Sequence, residues 1–202
     1  MLTVDPYPNY KPKQKAVHRE VLTKGELERM SRKKFGVERL DQVRDVFLFS
    51  CYTGLAYVDV HQLKRSEIIT GIDGGLWIHT HRQKTDALSR IPVLLHALSI
   101  IKLYENHPEC MVKDTLLPVM TNQKMNAYLK EIADLCRINK VLTHIARHTF
   151  ATTVTLNNGV SFETVAKMMG HTSIKTTQIY AKVMNHKISS DMQQLQKKLT
   201  AF

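Results

Sequence analysis

The chain has 202 residues, 43% of them hydrophobic and 23% charged, enough for the packed core of one sizeable domain and incompatible with global disorder. Its 29 Lys and Arg against 18 Asp and Glu leave a formal charge of +11, a long-range attraction for polyanions, and neither a basic amphipathic helix nor a lipidation signal directs that charge to a membrane. No stretch has the pattern of a signal peptide, no apolar run reaches about 18 residues, and the scattered Cys51, Cys110 and Cys136 form no disulfide or CxxC framework and fit a reducing cytoplasm.

Residues 1–20 carry Pro6, Pro8 and Pro12 in a Lys-rich setting without a helical or strand period, and read as a linker or extension. Thr23-Lys24-Gly25-Glu26 is a capping box that opens a short helix to about Arg32. Leu40, Val43, Phe47 and Cys51 recur at three- and four-residue steps and predict a helix from about Glu38 to Tyr52, stopped by Thr53-Gly54 with Gly54 as the left-handed cap. The period then changes. Ile68 to Thr70, Leu76 to Arg82 and Leu88 to Ile91 read as three strands, joined by the turns Asp73-Gly74-Gly75 and Lys84-Thr85-Asp86 and closed by Pro92.

Helices return over 93–105 and, after a Pro-containing loop at 107–120, from Thr121 to about Cys136. Thr143 is placed to cap the next helix, which ends near Asn157-Asn158-Gly159, and Ser161 caps a short one ending at Gly170. Thr172 or Ser173 opens a helix carrying Tyr180, and 186–199 reads as a last, weakly amphipathic helix with Met192, Leu195 and Leu199 as its apolar face. The expected fold class is mainly α with a small three-stranded antiparallel sheet.

The chemistry-bearing residues crowd between Thr143 and Tyr180. His144 and Arg147, three apart, share a helix face near its N-terminus, where free N–H groups and the helix dipole favour an anion. A guanidinium binds two phosphate oxygens with its planar fork, and an imidazole exchanges protons near neutral pH. His148, four after His144, allows a rival zinc helix with His171 as a third ligand, but the position after the first His is Ile145 rather than the Glu of a metalloprotease helix. The blander place for His148 is in the core, holding its helix against a neighbour. Tyr180 has a phenol of ordinary pKa ~10, a poor nucleophile unless positive groups stabilise its anion.

Together, His144-x-x-Arg147-His148, Gly170-His171 and Tyr180 resemble the C-terminal signature of the tyrosine recombinases, the phage-type integrases. The stretches HIARHTFATTVTLNNGV and MMGHTSIKTTQIYAKV look like those of integrases from conjugative and mobilisable transposons, and the resemblance covers about residues 21–195. It implies the catalytic-domain fold of that family over 21–202, with 184–202 as a tail helix and the family's preceding DNA-gripping core-binding domain absent. It implies a DNA strand-transferase, acting in the cytoplasm on nucleoid DNA, with double-stranded attachment-site DNA and other protomers as partners. The tail helix is one candidate contact between protomers.

The resemblance also assigns roles. Tyr180 attacks the scissile phosphate and forms a 3′-phosphotyrosyl link, Arg147 binds the non-bridging oxygens, His144 helps to move the tyrosine proton, and His171 hydrogen-bonds the phosphate. Lys84, in His81-Arg82-Gln83-Lys84-Thr85, matches the family's turn lysine, the acid for the leaving 5′-oxygen. No metal, ATP or other cofactor is implied. One position departs from the pattern: where the family has Thr-Gly-x-Arg, this chain has Thr53-Gly54-Leu55-Ala56, with Asp59 at the acidic position three further on. Arg82 is the preferred stand-in, expected to share a strand face with Lys84. Lys64 and Arg65 are weaker candidates. The departure leaves a second reading open, a DNA-binding module with impaired catalysis, and a third in the zinc hydrolase.

Overall fold

The computed structural model describes residues 20–180 and, beyond them, positions 189, 192, 193, 195, 196, 199 and 200. The linker expected over 1–20 and most of the tail helix expected over 186–199 lie outside the described residues. Met192, Leu195 and Leu199 are helical and exposed.

The capping box forms as expected: Thr23 Oγ1 accepts from the Glu26 N–H while the Glu26 carboxylate accepts from the Thr23 N–H, starting α1 (Lys24–Arg32). The second helix, α2 (Glu38–Thr53), is more than the one-faced helix its spacing predicts. From Asp45 to Thr53 every residue is buried, so α2 is the central rod on which α1 and the later helices pack. Asp45 tolerates that burial because Arg44 pairs with it at 2.8 Å and the Tyr104 hydroxyl donates to it at 2.9 Å. At its end Gly54 takes a φ of +69° as the left-handed cap.

A short helix absent from the sequence reading follows, α3 (Tyr57–Gln62), whose start is capped by Asp59 accepting from the Ala56 N–H at 3.2 Å. The sheet is the expected meander, β1 (Ile68–Thr70), β2 (Leu76–His81) and β3 (Leu88–Pro92), antiparallel in the order β1-β2-β3, with Ile78 opposite both Ile68 and Ile91. Ile78, Thr80, Ser89 and Ile91 face inward. Helix α4 spans Leu95–Leu103. The segment expected as a loop over 107–120 contains a helix, α5 (Pro108–Lys113), with Pro108 at its first position, where a missing N–H costs nothing.

Helix α6 (Asn122–Leu135) follows Thr121, whose side chain makes no cap bond. Thr143 does not cap the next helix either: it lies inside a 3₁₀ turn, Leu142–His144, and His144 is the residue at the cap of α7 (Ile145–Thr149). The helix continues through a π-helical stretch, Phe150–Thr155, closed by Thr155 Oγ1 donating to the Phe150 and Ala151 carbonyls at 3.0 and 2.8 Å. Two of its threonines hold the incoming chain: Thr149 accepts from the Leu22 N–H at 3.0 Å, and Thr153 donates to the Leu22 carbonyl. Ser161 caps α8 (Phe162–Met168) as expected, and Ser173 caps α9 (Ile174–Gln178). Tyr180 therefore sits in the turn just past α9 rather than within a helix, its N–H bonded to the Thr177 carbonyl at 3.0 Å.

Phe150 explains why residue 54 is glycine. A Cβ there would lie 2.4 Å from the Phe150 ring, on a backbone that L side chains rarely adopt. Gly54→Ala is expected to cost at least about 1–3 kcal/mol of stability, read as a lower urea midpoint with an unchanged slope.

Candidate active site

Three chain ends meet where α2 stops, where β2 runs into its turn, and where α8 stops. Arg147, on α7, donates to the Gly54 carbonyl at 2.7 Å and to the Met169 carbonyl. Arg82 comes from the opposite side. The inward parity of Ile78 and Thr80 continues to residue 82, one past the end of β2, so its side chain turns into the protein and is 4% exposed. Its Nε donates to Ser89 Oγ at 2.8 Å, and its two terminal nitrogens reach Asp59 Oδ2 at 2.7 Å, the Met168 carbonyl at 3.1 Å and the Gly54 carbonyl at 3.4 Å. Gly54 and the last residues of α8 thus present carbonyls, which helices leave unpaired at their C-terminal ends, to two guanidiniums side by side.

Gly170 makes this approach possible. A Cβ on it would stand 2.7 Å from Ser89 Oγ and 3.0 Å from Arg82 Cγ, and its φ is +61°. Asp59 balances one of the two charges and is held in turn by the N–H groups of Ala56 and Gln83, at 3.2 and 3.1 Å. Burial, then the neighbouring Arg82 charge, pulls the Arg147 guanidinium down to about 10, still cationic at neutral pH, while burial lowers Arg82 against the pull of Asp59. Two guanidiniums and one carboxylate leave an excess of positive charge in a partly desolvated site, a setting that favours a phosphate.

The remaining sequence candidates fall around this pair. His171, half-buried just after Gly170, places Nδ1 2.8 Å from the hydroxyl of fully buried Thr177. With that hydroxyl donating, Nε2 keeps its proton for a ligand. Burial, then the charges of Arg147 and Arg82, depresses the His171 pKa to about 4, so its imidazole is neutral at pH 7. Tyr180 is buried and close enough to Arg147 for its phenolate form to favour the guanidinium charge. Its hydroxyl lies 2.9 Å from Nδ1 of His148, with the rings 5.5 Å apart. His148 is therefore no general core histidine: it holds the tyrosine of the motif. Only its place beside Arg147, on one helix face with His144, hinted at this in the sequence.

His144 is exposed, and lines a cavity of about 490 Å³ together with Ala56, Thr143, Arg147 and His148. The alanine that stands where an arginine was expected thus opens onto this cavity. Lys84 is exposed on the β2–β3 turn. The expectation that Arg82 and Lys84 share a strand face is not met, because β2 ends at His81 and the turn separates buried Arg82 from exposed Lys84. Arg65 reaches the Glu105 carbonyl instead of this site. Among the described residues no three His, Cys, Asp or Glu side chains converge as a metal site, and no helix is long and apolar enough to cross a membrane.

A family model described as the phage integrase family matches residues 21–187. The chain belongs to that family, the tyrosine recombinases. Over 91 residues, 45% of this chain, it is 32% identical to the tyrosine recombinase XerC of Listeria welshimeri, and the match covers 30% of that relative. The chain thus matches less than a third of the curated relative's length. Among solved structures it resembles the XerA recombinase, with a TM-score of 0.67 at 22% identity over 88% of this chain and 66% of that one. It also resembles the Tn1549 transposon integrase in complex with circular intermediate DNA, with a TM-score of 0.61 at 15% identity over 91% and 68% of the two chains. The fold is the tyrosine recombinase catalytic domain that the resemblance implied, built as the mainly α chain with a three-stranded antiparallel sheet that the periodicity predicted.

Arg82→Ala leaves Asp59 buried and unpaired, so it is expected to lower stability by about 3–5 kcal/mol in urea denaturation. His171 binds a proton more weakly folded than unfolded. It therefore takes no stability above the ordinary imidazole pKa of ~6.5, and destabilises the fold as the pH falls from there toward 4. NMR titration should place its pKa near 4, and Arg147→Ala should raise it.

Proposed function

We propose that the chain is the catalytic part of a site-specific DNA recombinase, cleaving and rejoining DNA through a covalent 3′-phosphotyrosyl intermediate. The observation that carries this reading is the pair of guanidiniums at the Gly54 carbonyl, with the Tyr180 hydroxyl held by the residue next to Arg147. The named relatives are tyrosine recombinases, and one structural neighbour is a transposon integrase solved on DNA.

In this reading Arg147 binds the non-bridging oxygens of the scissile phosphate and steadies their charge as the phosphorus becomes five-coordinate. One such donor is worth ~2.7–4 kcal/mol at comparable oxyanion sites. Arg82 supplies the second charge from behind Arg147. Ion-paired and buried, it acts in place of the arginine missing at Ala56 through its field and by fixing the Gly54 carbonyl, rather than by reaching into solvent. His171 donates through Nε2 to the phosphate, and His144, exposed on the cavity wall, lies within the same site. Lys84 reaches from its turn along the DNA to protonate the leaving 5′-oxygen. Tyr180 is the nucleophile.

Residues 21–202 form the catalytic domain, 1–20 a tether, and the tail helix with Met192, Leu195 and Leu199 a contact to a second protomer. The partners are duplex DNA and other protomers, and the work is done on nucleoid DNA in the cytoplasm. Ala56 favours one second reading, a DNA-binding module with lost catalysis. A library of nicked duplexes with a randomised core separates the two. Covalent protein–DNA adducts that survive denaturation and vanish in Tyr180→Phe are the expected result. Binding without adducts would favour the module.

A further inference from the structure

The hydrogen bond to the nucleophile comes from His148, a residue to which the family resemblance gave no role. Its Nδ1 stands 2.9 Å from the Tyr180 hydroxyl, inside the reach of a general base. Tyr180 is 3% exposed, so an acceptor already bonded to its hydroxyl is a direct route for its proton. His148 follows Arg147 directly, so one turn of α7 presents the phosphate-binding cation and the group facing the nucleophile together. His144, expected to serve the tyrosine, is an exposed residue at the start of the same helix.

We propose that His148 is the catalytic base that accepts the Tyr180 proton during cleavage and returns it during rejoining. The inference rests on the recombinase reading above. Neutral His148, with its proton on Nε2, accepts the phenol hydrogen bond at Nδ1. As the tyrosine oxygen bonds to phosphorus, its proton passes to Nδ1 and makes an imidazolium. The bond from phosphorus to the 5′-oxygen breaks, and that oxygen takes a proton from the Lys84 ammonium. In rejoining, the attacking 5′-hydroxyl gives its proton to neutral Lys84, and the departing tyrosine oxygen recovers its own from His148. No metal or external base enters the balance.

The test uses duplexes recovered as adducts from the randomised library, with the full 202-residue chain. His148→Asn places an amide oxygen near the position of Nδ1, keeping a hydrogen-bond acceptor but removing its basicity. It is expected to form adducts about 10²–10⁴-fold more slowly, with unchanged DNA affinity. Fluorinated tyrosine at position 180, a stronger acid, should recover much of that loss in His148→Asn and gain little in the wild type. Adduct formation at the wild-type rate, or a loss that fluorination does not recover, overturns the proposal. If His148→Asn has no cooperative urea transition, His148→Gln carries the same comparison. A wild-type chain that forms no adducts with any duplex removes the recombinase reading itself, and that failure is distinct from one confined to the His148 variants.

Discussion

The site depends on two guanidiniums held by helix-end carbonyls. Arg147 and Arg82 repel each other, and each has lost part of its hydration. What keeps them together is Gly54, whose carbonyl both reach, the Met168 and Met169 carbonyls at the end of α8, and Asp59. Hydrogen bonds to charged groups are worth roughly 1.5–3 kcal/mol each, so several together offset a burial that one would not. Gly54 and Gly170 are glycines because the chain must come close to Phe150 at one and to Arg82 and Ser89 at the other. The positive centre is thus held by carbonyls at two helix ends, and in the proposed reading the phosphate would balance the charge they leave.

Under the proposed function, this arrangement also bears on the alanine at 56. An arginine there would have come from the turn between α2 and α3. Here the second charge arrives from the sheet, along the inward parity of β2, and pairs with Asp59 from α3. The space beside Ala56 remains as a cavity walled by His144, Arg147 and His148. In the proposed reading the buried, ion-paired Arg82 guanidinium contributes a field and a fixed Gly54 carbonyl.

Much of this was legible in the residues because it is local. The three strands, α2, the Thr23 and Ser161 caps and the Gly54 stop follow from period and turn chemistry, which involve neighbours within a few positions. The motif residues His144, Arg147, His171 and Tyr180 were legible as a linear pattern. What escaped was long-range or marginal. The helix α3 has only six residues and an alanine at its cap, though Pro108 at the first position of α5 was a readable start signal. Thr143 looked like a cap because a 3₁₀ turn before α7 leaves no trace in the pattern. The bond between His148 and Tyr180 spans 32 residues, and nothing in either neighbourhood announces it.

The claim that Tyr180 carries the chemistry is tested most directly by locating the DNA on the protein. Adducts would be digested with nuclease and trypsin and the nucleotide-bearing peptide sequenced by mass spectrometry. The account predicts a phosphonucleotide on Tyr180, within residues 176–182. A nucleotide on any other side chain would contradict it.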